Sequence, residues 1–272
     1  MKRSIAIALI LLLSSKVFSQ VLDGVYVQEN IATDRLMQYT YLREADVMWS
    51  RTVWRKLDLR EKLNLPLYFP VQPIGDRQSL TQVLIEAIKE GSLSAYAPMD
   101  DDFRTILTRE EVTRIFTHFD TLMIENPDSP GDIIPKVVQV DLDLSEITEY
   151  RIKEEWFFDK QRSVMDVRIV GIMPVRKEII EDEVRTKPLF WIYFPEARII
   201  LNNKAVFNRF NDAARVSYDD IFSKRMFASY IYKESNVYDR NISDYTMGTD
   251  ALLEADRIKK NMFDMESDYW EY

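Results

Sequence analysis

Two neighbouring runs, Tyr150–Phe158 and Ser163–Met173, constrain this chain more than any other stretch. In the second, Met165, Val167, Ile169 and Met173 alternate with Asp166 and Arg168, the period-two pattern of a strand with one buried face. Only Asp159, Lys160, Gln161 and Arg162 separate the runs. A link that short closes two strands into a hairpin, so the spacing predicts an antiparallel pair over 150–173. Val137–Val140 is a further strand candidate. After a charged, exposed excursion over 174–187, the compact apolar run Leu189–Phe194 can return as a third strand.

Helical patterns flank this sheet. Ser79-Leu80-Thr81-Gln82 fits a capping box, Leu80, Val83, Leu84, Ala87 and Ile88 follow on one face, and Gly91 stands where a C-cap belongs. Thr108-x-x-Glu111 opens another helix, with Val112, Ile115, Phe116 and Phe119 at i, i+3, i+4, i+7. Ser217-x-x-Asp220 starts a third, whose Tyr218, Ile221, Phe222 and Met226 share a face. A last helix follows Gly248, with Ala251, Ala255, Ile258 and Met262 in line. Leu42, Ala45, Trp49, Val53 and Leu57 also recur at near-helical spacing, which predicts a helix from Tyr41 toward Lys62. Pro66 and Pro70 end it in an extended NLPLYFPVQP segment, and Pro195 breaks the chain after Phe194. The expected class is α+β: an antiparallel sheet (hairpin 150–173 plus a strand near 189–194) packed with several amphipathic helices.

The first residues read as an address. Lys2 and Arg3 form a positive region, Ile5–Leu13 an uninterrupted apolar one, and Val17-Phe18-Ser19 offers a cleavage site. The apolar run is too short to span a bilayer, which takes about 20 residues. The expectation is a signal peptide over 1–19, cleaved after Ser19, then an irregular arm over 20–40 and a single domain over 41–272. The loop 126–132, Asn-Pro-Asp-Ser-Pro-Gly-Asp, marks where that domain would subdivide. With no cysteine, the chain has no disulfide, thiolate metal site, cysteine nucleophile or lipid-accepting cysteine. Loss of Lys2, Arg3 and Lys16 moves the formal charge from −9 to about −12, which argues against nucleic acid and against docking on anionic membrane by charge.

Catalytic constellations are weak. His118 is the only histidine and falls off the Val112/Phe116/Phe119 face, so it reads as a surface residue without triad or zinc partners. Asp100-Asp101-Asp102 lacks the alternating ligands and glycine turn of an EF-hand and reads as a solvated acidic loop. No cofactor is expected. Among the aromatics, Trp54, Trp156 and Trp191 sit in periodic segments as core, while Trp49 fits core or interface. Tyr269, Trp270 and Tyr272 lie beyond the helical pattern, where they could dock on the same chain or on a neighbouring subunit. Aromatics anchor protein interfaces, so Trp49, Tyr269, Trp270 and Tyr272 are the candidate partner-binding residues. The arm 20–40, the excursion 174–187 and the tail 264–272 are the candidate contact patches.

Five long strings carry a family resemblance: LREADVMWSRTVWRKLDLREKLNLPLYFP (42–70), ITEYRIKEEWFFDK (147–160), VRIVGIMP (167–174), LFWIYFPEAR (189–198) and NDAARVSYDDIFSKRMFASYIYKESNVYDR (211–240). Through them the chain resembles the GldN/PorN family of the Bacteroidetes type IX secretion and gliding-motility machinery, over nearly everything after the arm. The resemblance implies a non-enzymatic periplasmic scaffold. It would self-associate in a ring with an outer-membrane lipoprotein of the GldK/PorK type and meet the periplasmic part of a GldM/PorM-type protein. Its place would be the inner face of the outer membrane. A reading from a different class is an exported carbohydrate-active hydrolase, which needs an aromatic-lined cleft with paired carboxylates.

Overall fold

The computed structural model describes residues 35–75, 77–125, 133–180, 183–211 and 213–270, with side chains described outside 118–140, 179–184 and 270. The expected leader, the arm as far as 34 and the loop 126–132 lie outside the described residues. Residues 31–272 form one compact unit. In chain order its elements are β1 (Val47–Asp58), α1 (Leu65–Tyr68), α2 (Leu80–Glu90), β2 (Ala95–Tyr96), α3 (Arg109–Phe116), β3 (Thr117–Glu125), β4 (Ile133–Asp141), β5 (Ile147–Asp159), β6 (Val164–Ile180), β7 (Glu183–Pro188), β8 (Trp191–Tyr193), α4 (Phe194–Asn202), β9 (Ala205–Val206), β10 (Val216–Ser217), α5 (Tyr218–Ser223), β11 (Tyr230–Glu234) and α6 (Thr249–Trp270).

The main sheet runs β11-β1-β5-β6-β8-β2, all antiparallel, with β7 folded back on β6. The hairpin closes as its short link requires, from Asp159↔Val164 onward. Helices cover the sheet, so the α+β class holds. Both early capping boxes form: Ser79 accepts from the Gln82 amide while Gln82 returns the bond, and Thr108 and Glu111 do the same. Gly91 closes α2 in the left-handed region at φ 82°. Ser217 and Asp220 cap α5 likewise.

Several expectations need correction. The segment predicted as a helix from Tyr41 is the strand β1, paired with β5 on one side and β11 on the other. Positions 45, 49, 53 and 57 differ by four, a spacing shared by one helix face and one strand face. Trp49, Thr52, Val53 and Trp54, all strand formers, decide for the strand. The extended segment after it contains the short helix α1, with Pro66 in its first turn, where a missing N–H costs nothing. Helix α3 ends at Phe116, so Phe119 and His118 belong to β3. The third strand is shorter than expected, Trp191–Tyr193. Pro195 sits in the first turn of α4, so it starts a helix where a break was expected. Helix α5 stops at Ser223, leaving Met226 outside it. The excursion 174–187 continues β6 and returns as β7, with pairs from Val175↔Pro188 to Ile180↔Glu183.

Alternate residues of β5 show how the core is divided. Tyr150, Ile152, Glu154, Trp156 and Phe158 point to one face. Tyr150 and Ile152 join Leu57, Ile172 and Ile192 in the main core beneath α2, α3, α4 and α5. Trp156 packs with Trp49 on a smaller cluster of Val53, Ile231, Ile242, Ala255, Ile258 and Met262 beneath α6. Between them lies Glu154, 0% exposed, whose carboxylate accepts from Arg225 Nη2 at 3.0 and 3.1 Å and from Trp156 Nε1 at 3.2 Å. Buried Arg55 adjoins this seam and donates to Ser229 Oγ at 2.8 Å and to its carbonyl at 2.9 Å. Burial, opposed by the Glu154 charge, holds the Arg55 pKa below its ordinary value. Arg225 stands just after α5 with φ 52°. Its amide and that of Met226 close the helix onto Phe222 and Ile221 carbonyls. Glycine is usual at such a position; here an arginine accepts the strained backbone and its guanidinium meets Glu154.

On the opposite face, the loop carrying Asp100–Asp102 folds over the sheet. Phe103, at φ 58°, lays its ring among Tyr96, Trp191 and Tyr193, with centroids 5.4, 6.2 and 5.5 Å away. Gly171 makes room for it: a Cβ there would sit 2.4 Å from Phe103 Cζ. Asp101 accepts from Trp54 Nε1 at 2.8 Å, and its carbonyl accepts from Lys153 Nζ at 2.8 Å. Burial alone would raise the Asp100 carboxyl. Hydrogen bonds from Thr105, Asp102 and Arg104 outweigh it and hold the group below its usual range. The acidic run is a fastening of the loop to the sheet.

Candidate functional site

Among the described residues, no group of three His, Cys, Asp or Glu side chains could hold a metal ion, and no helix is long and apolar enough to cross a membrane. What the surface offers is contact area, in three places.

The first gathers part of the aromatic set named from sequence. Trp49 lies half-buried at the start of β1 and lines a cleft of about 330 Å³ with Arg51, Ile258, Met262, Met265 and Asp268. Tyr269 packs on Phe158 with ring centroids 4.9 Å apart. Phe158 in turn is the β5 partner of Trp49. Trp49 and the last turns of α6 are thus brought together at one end of the sheet. The side chain of Trp270, and Tyr272, lie outside the described residues. The last turn of α6 carries no basic residue, although a helix C-terminus favours cations.

The second place is where the arm meets the body. Arg198, 4% exposed, donates Nε to Asp219 Oδ1 at 2.8 Å and Nη2 to Oδ2 at 2.9 Å, a two-pronged buried ion pair. The same Nη2 donates to the Met37 carbonyl at 2.8 Å. The Tyr39 ring lies 4.1 Å from the Arg198 guanidinium and 5.0 Å from that of Arg168, whose Nη2 donates to the Thr40 carbonyl at 2.6 Å. Burial works to lower the Arg198 pKa, yet Asp219 outweighs it and leaves the group above its ordinary value. Residues 37–40 are therefore strapped to α4 by Arg198 and to β6 by Arg168.

The third place was not foreseen. A groove of about 450 Å³ runs between the α1 region and the β9–β10 region. Leu65, Pro66, Phe69 and Pro70 form one wall, and Ala205, Val206 and Phe207 the other. Phe69 is 52% and Phe207 50% exposed, unusual for large apolar residues that share a concavity. Lys62, Arg77 and Arg209 stand at its rim, and among the described residues no acid lines it. The walls are tied together: Arg209 Nη2 donates to the Lys62 carbonyl, Tyr218 Oη to the Gln78 carbonyl at 2.7 Å, and Lys204 Nζ to Gln78 Oε1 at 2.9 Å. The Arg77 guanidinium lies over Phe207, 5.9 Å from the ring centroid. Among the described residues none of the three rim cations has a carboxylate partner. Such a groove suits an apolar anchor inside an acidic segment. Its walls come from stretches over a hundred residues apart, so sequence periodicity carries no sign of it. The one local signal is the irregular Phe207-x-Arg209-Phe210, aromatics that fall on no buried face.

Comparison with known proteins adds two findings. The family model described as gliding motility associated protein GldN matches residues 42–271. No curated protein matches the chain.

Proposed function

We propose, from the premise that this chain belongs to the family of the gliding motility associated protein GldN, that it is a non-enzymatic structural subunit of that machinery. Family membership makes it a component of the gliding-motility and secretion apparatus. In our reading it is exported by a leader cleaved after Ser19, works in the periplasm and self-associates in a ring. There it is held to the outer membrane by a lipoprotein of the GldK/PorK type and meets a GldM/PorM-type protein on the other side.

The observation that carries this is the extent of the family match, which takes in nearly every described residue of the body. Three contact surfaces support a scaffold: the Trp49/α6 corner, the strapped arm and the basic-rimmed groove. The test is co-expression with the lipoprotein, followed by affinity capture and sizing. A stable, very large hetero-oligomer is the expected result. A monomer that ignores the lipoprotein refutes the scaffold reading.

A further inference from the structure

The groove and the C-terminal segment have opposite characters. The groove carries Lys62, Arg77 and Arg209 on an apolar bed, in a chain whose Asp and Glu outnumber Lys and Arg 45 to 36. Asp264–Tyr272 has four acids (Asp264, Glu266, Asp268, Glu271), three aromatics and no base. Asp264, Glu266 and Asp268 lie in the last turns of α6, where the helix dipole already presents negative charge and no cation answers it within the last turn. Cations supplied from outside would relieve both. Aromatic anchors flanked by acids are also what an apolar groove rimmed by cations selects.

A copy cannot fill its own groove with this segment. Tyr269 is fixed beside Phe158, which pairs with Trp49 at the start of β1. The groove begins at Lys62, past the far end of β1 at Asp58. At about 3.3 Å per residue, β1 spans about 30 Å from Trp49 to Asp58. We propose that the groove receives residues 264–272 of a second copy of this chain. The contact joins two different patches and repeats from copy to copy, the kind that closes into a ring when the rotation allows. It rests on the self-association proposed above, and it names the two surfaces that make it.

The chain has no cysteine, so Lys62→Cys, an exposed position, gives the full-length protein one labelling site. The variant is labelled with benzophenone maleimide, irradiated in its isolated assembly, sized, and its adducts mapped by mass spectrometry. Adducts between copies within 264–272 are expected. Charge reversal at Arg77 and Arg209 to Glu should reduce them at least about tenfold, and Asp264, Asp268 and Glu271 to Lys should restore them. Large particles with no adduct in 264–272, or with adducts to a different protein, overturn the tail–groove contact and leave the assembly standing. Particles that size as monomers in the presence of the lipoprotein overturn the assembly reading and this contact with it.

Discussion

Arg225→Gly sets two effects against each other at one residue. Arg225 holds φ 52°, a conformation that costs a side-chain-bearing residue about 1–2 kcal/mol and glycine almost nothing. Backbone considerations alone therefore predict a more stable protein. The guanidinium, however, makes two hydrogen bonds to Glu154, which is 0% exposed. Leaving a buried charge without its partner costs about 3–5 kcal/mol. Trp156 Nε1 still donates to the carboxylate and Arg55 stays nearby, which places the cost toward the lower end. The expected net effect is a loss of about 2 kcal/mol. Urea unfolding followed by tryptophan fluorescence should show the midpoint falling by roughly 1 M for a slope near 2 kcal/mol/M. The double variant Arg225→Gly with Glu154→Gln removes the stranded charge, keeps the relaxed backbone and should recover most of the loss. A single variant at least as stable as the parent would refute the reasoning, as would a double variant no better than the single.

Asp219→Ala strands buried Arg198 in the same way, for about 3–5 kcal/mol. It should also speed proteolysis within residues 35–43, and continued protection there would show that the arm is held by other means. Gly171→Ala places a methyl against Phe103; overpacking of this kind costs about 1–3 kcal/mol. The near-UV signal of Trp191, the ring's neighbour, should change with the lowered melting temperature. Burial, opposed by the Arg151 cation, pushes the Tyr232 phenol up to about 12, against about 10 in the unfolded chain. The native state therefore keeps a proton that the unfolded state loses. This contribution is intact below pH 10 and declines as pH rises toward 12, at up to about 1.4 kcal/mol per unit. Tyr232→Phe should flatten the alkaline stability profile by that slope, and an unchanged profile would exclude the group.

What the sequence disclosed and what it hid follow one physical division. Capping boxes are local chemistry, so Ser79, Thr108 and Ser217 mark helix starts wherever the chain goes next. The 150–173 hairpin is local too, with its register set by a short link. β1 reads as a helix in sequence because four-residue spacing serves either structure, and the arbiter is pairing with β11, which lies some 180 residues away. Pro195 is ambiguous because proline both ends a strand and begins a helix, and only the chain after it decides. Of the contact residues, Trp49 and Tyr269 could be named as large aromatics with uncertain burial. The groove could not be named, since its cations and its apolar bed meet only when α1 packs against β9 and β10.

The buried Glu154–Arg225 seam has a consequence for how the molecule opens. On its face of the sheet it divides the apolar interior in two, and α6 packs on the smaller part. Among its described residues the helix contributes three buried side chains, Ala255, Ile258 and Met262. At about 1.5–3 kcal/mol for each large one, their loss costs less than disrupting the main core. The amides of α6 should therefore exchange with solvent hydrogen as a separate cooperative unit, ahead of those in β5 and β6.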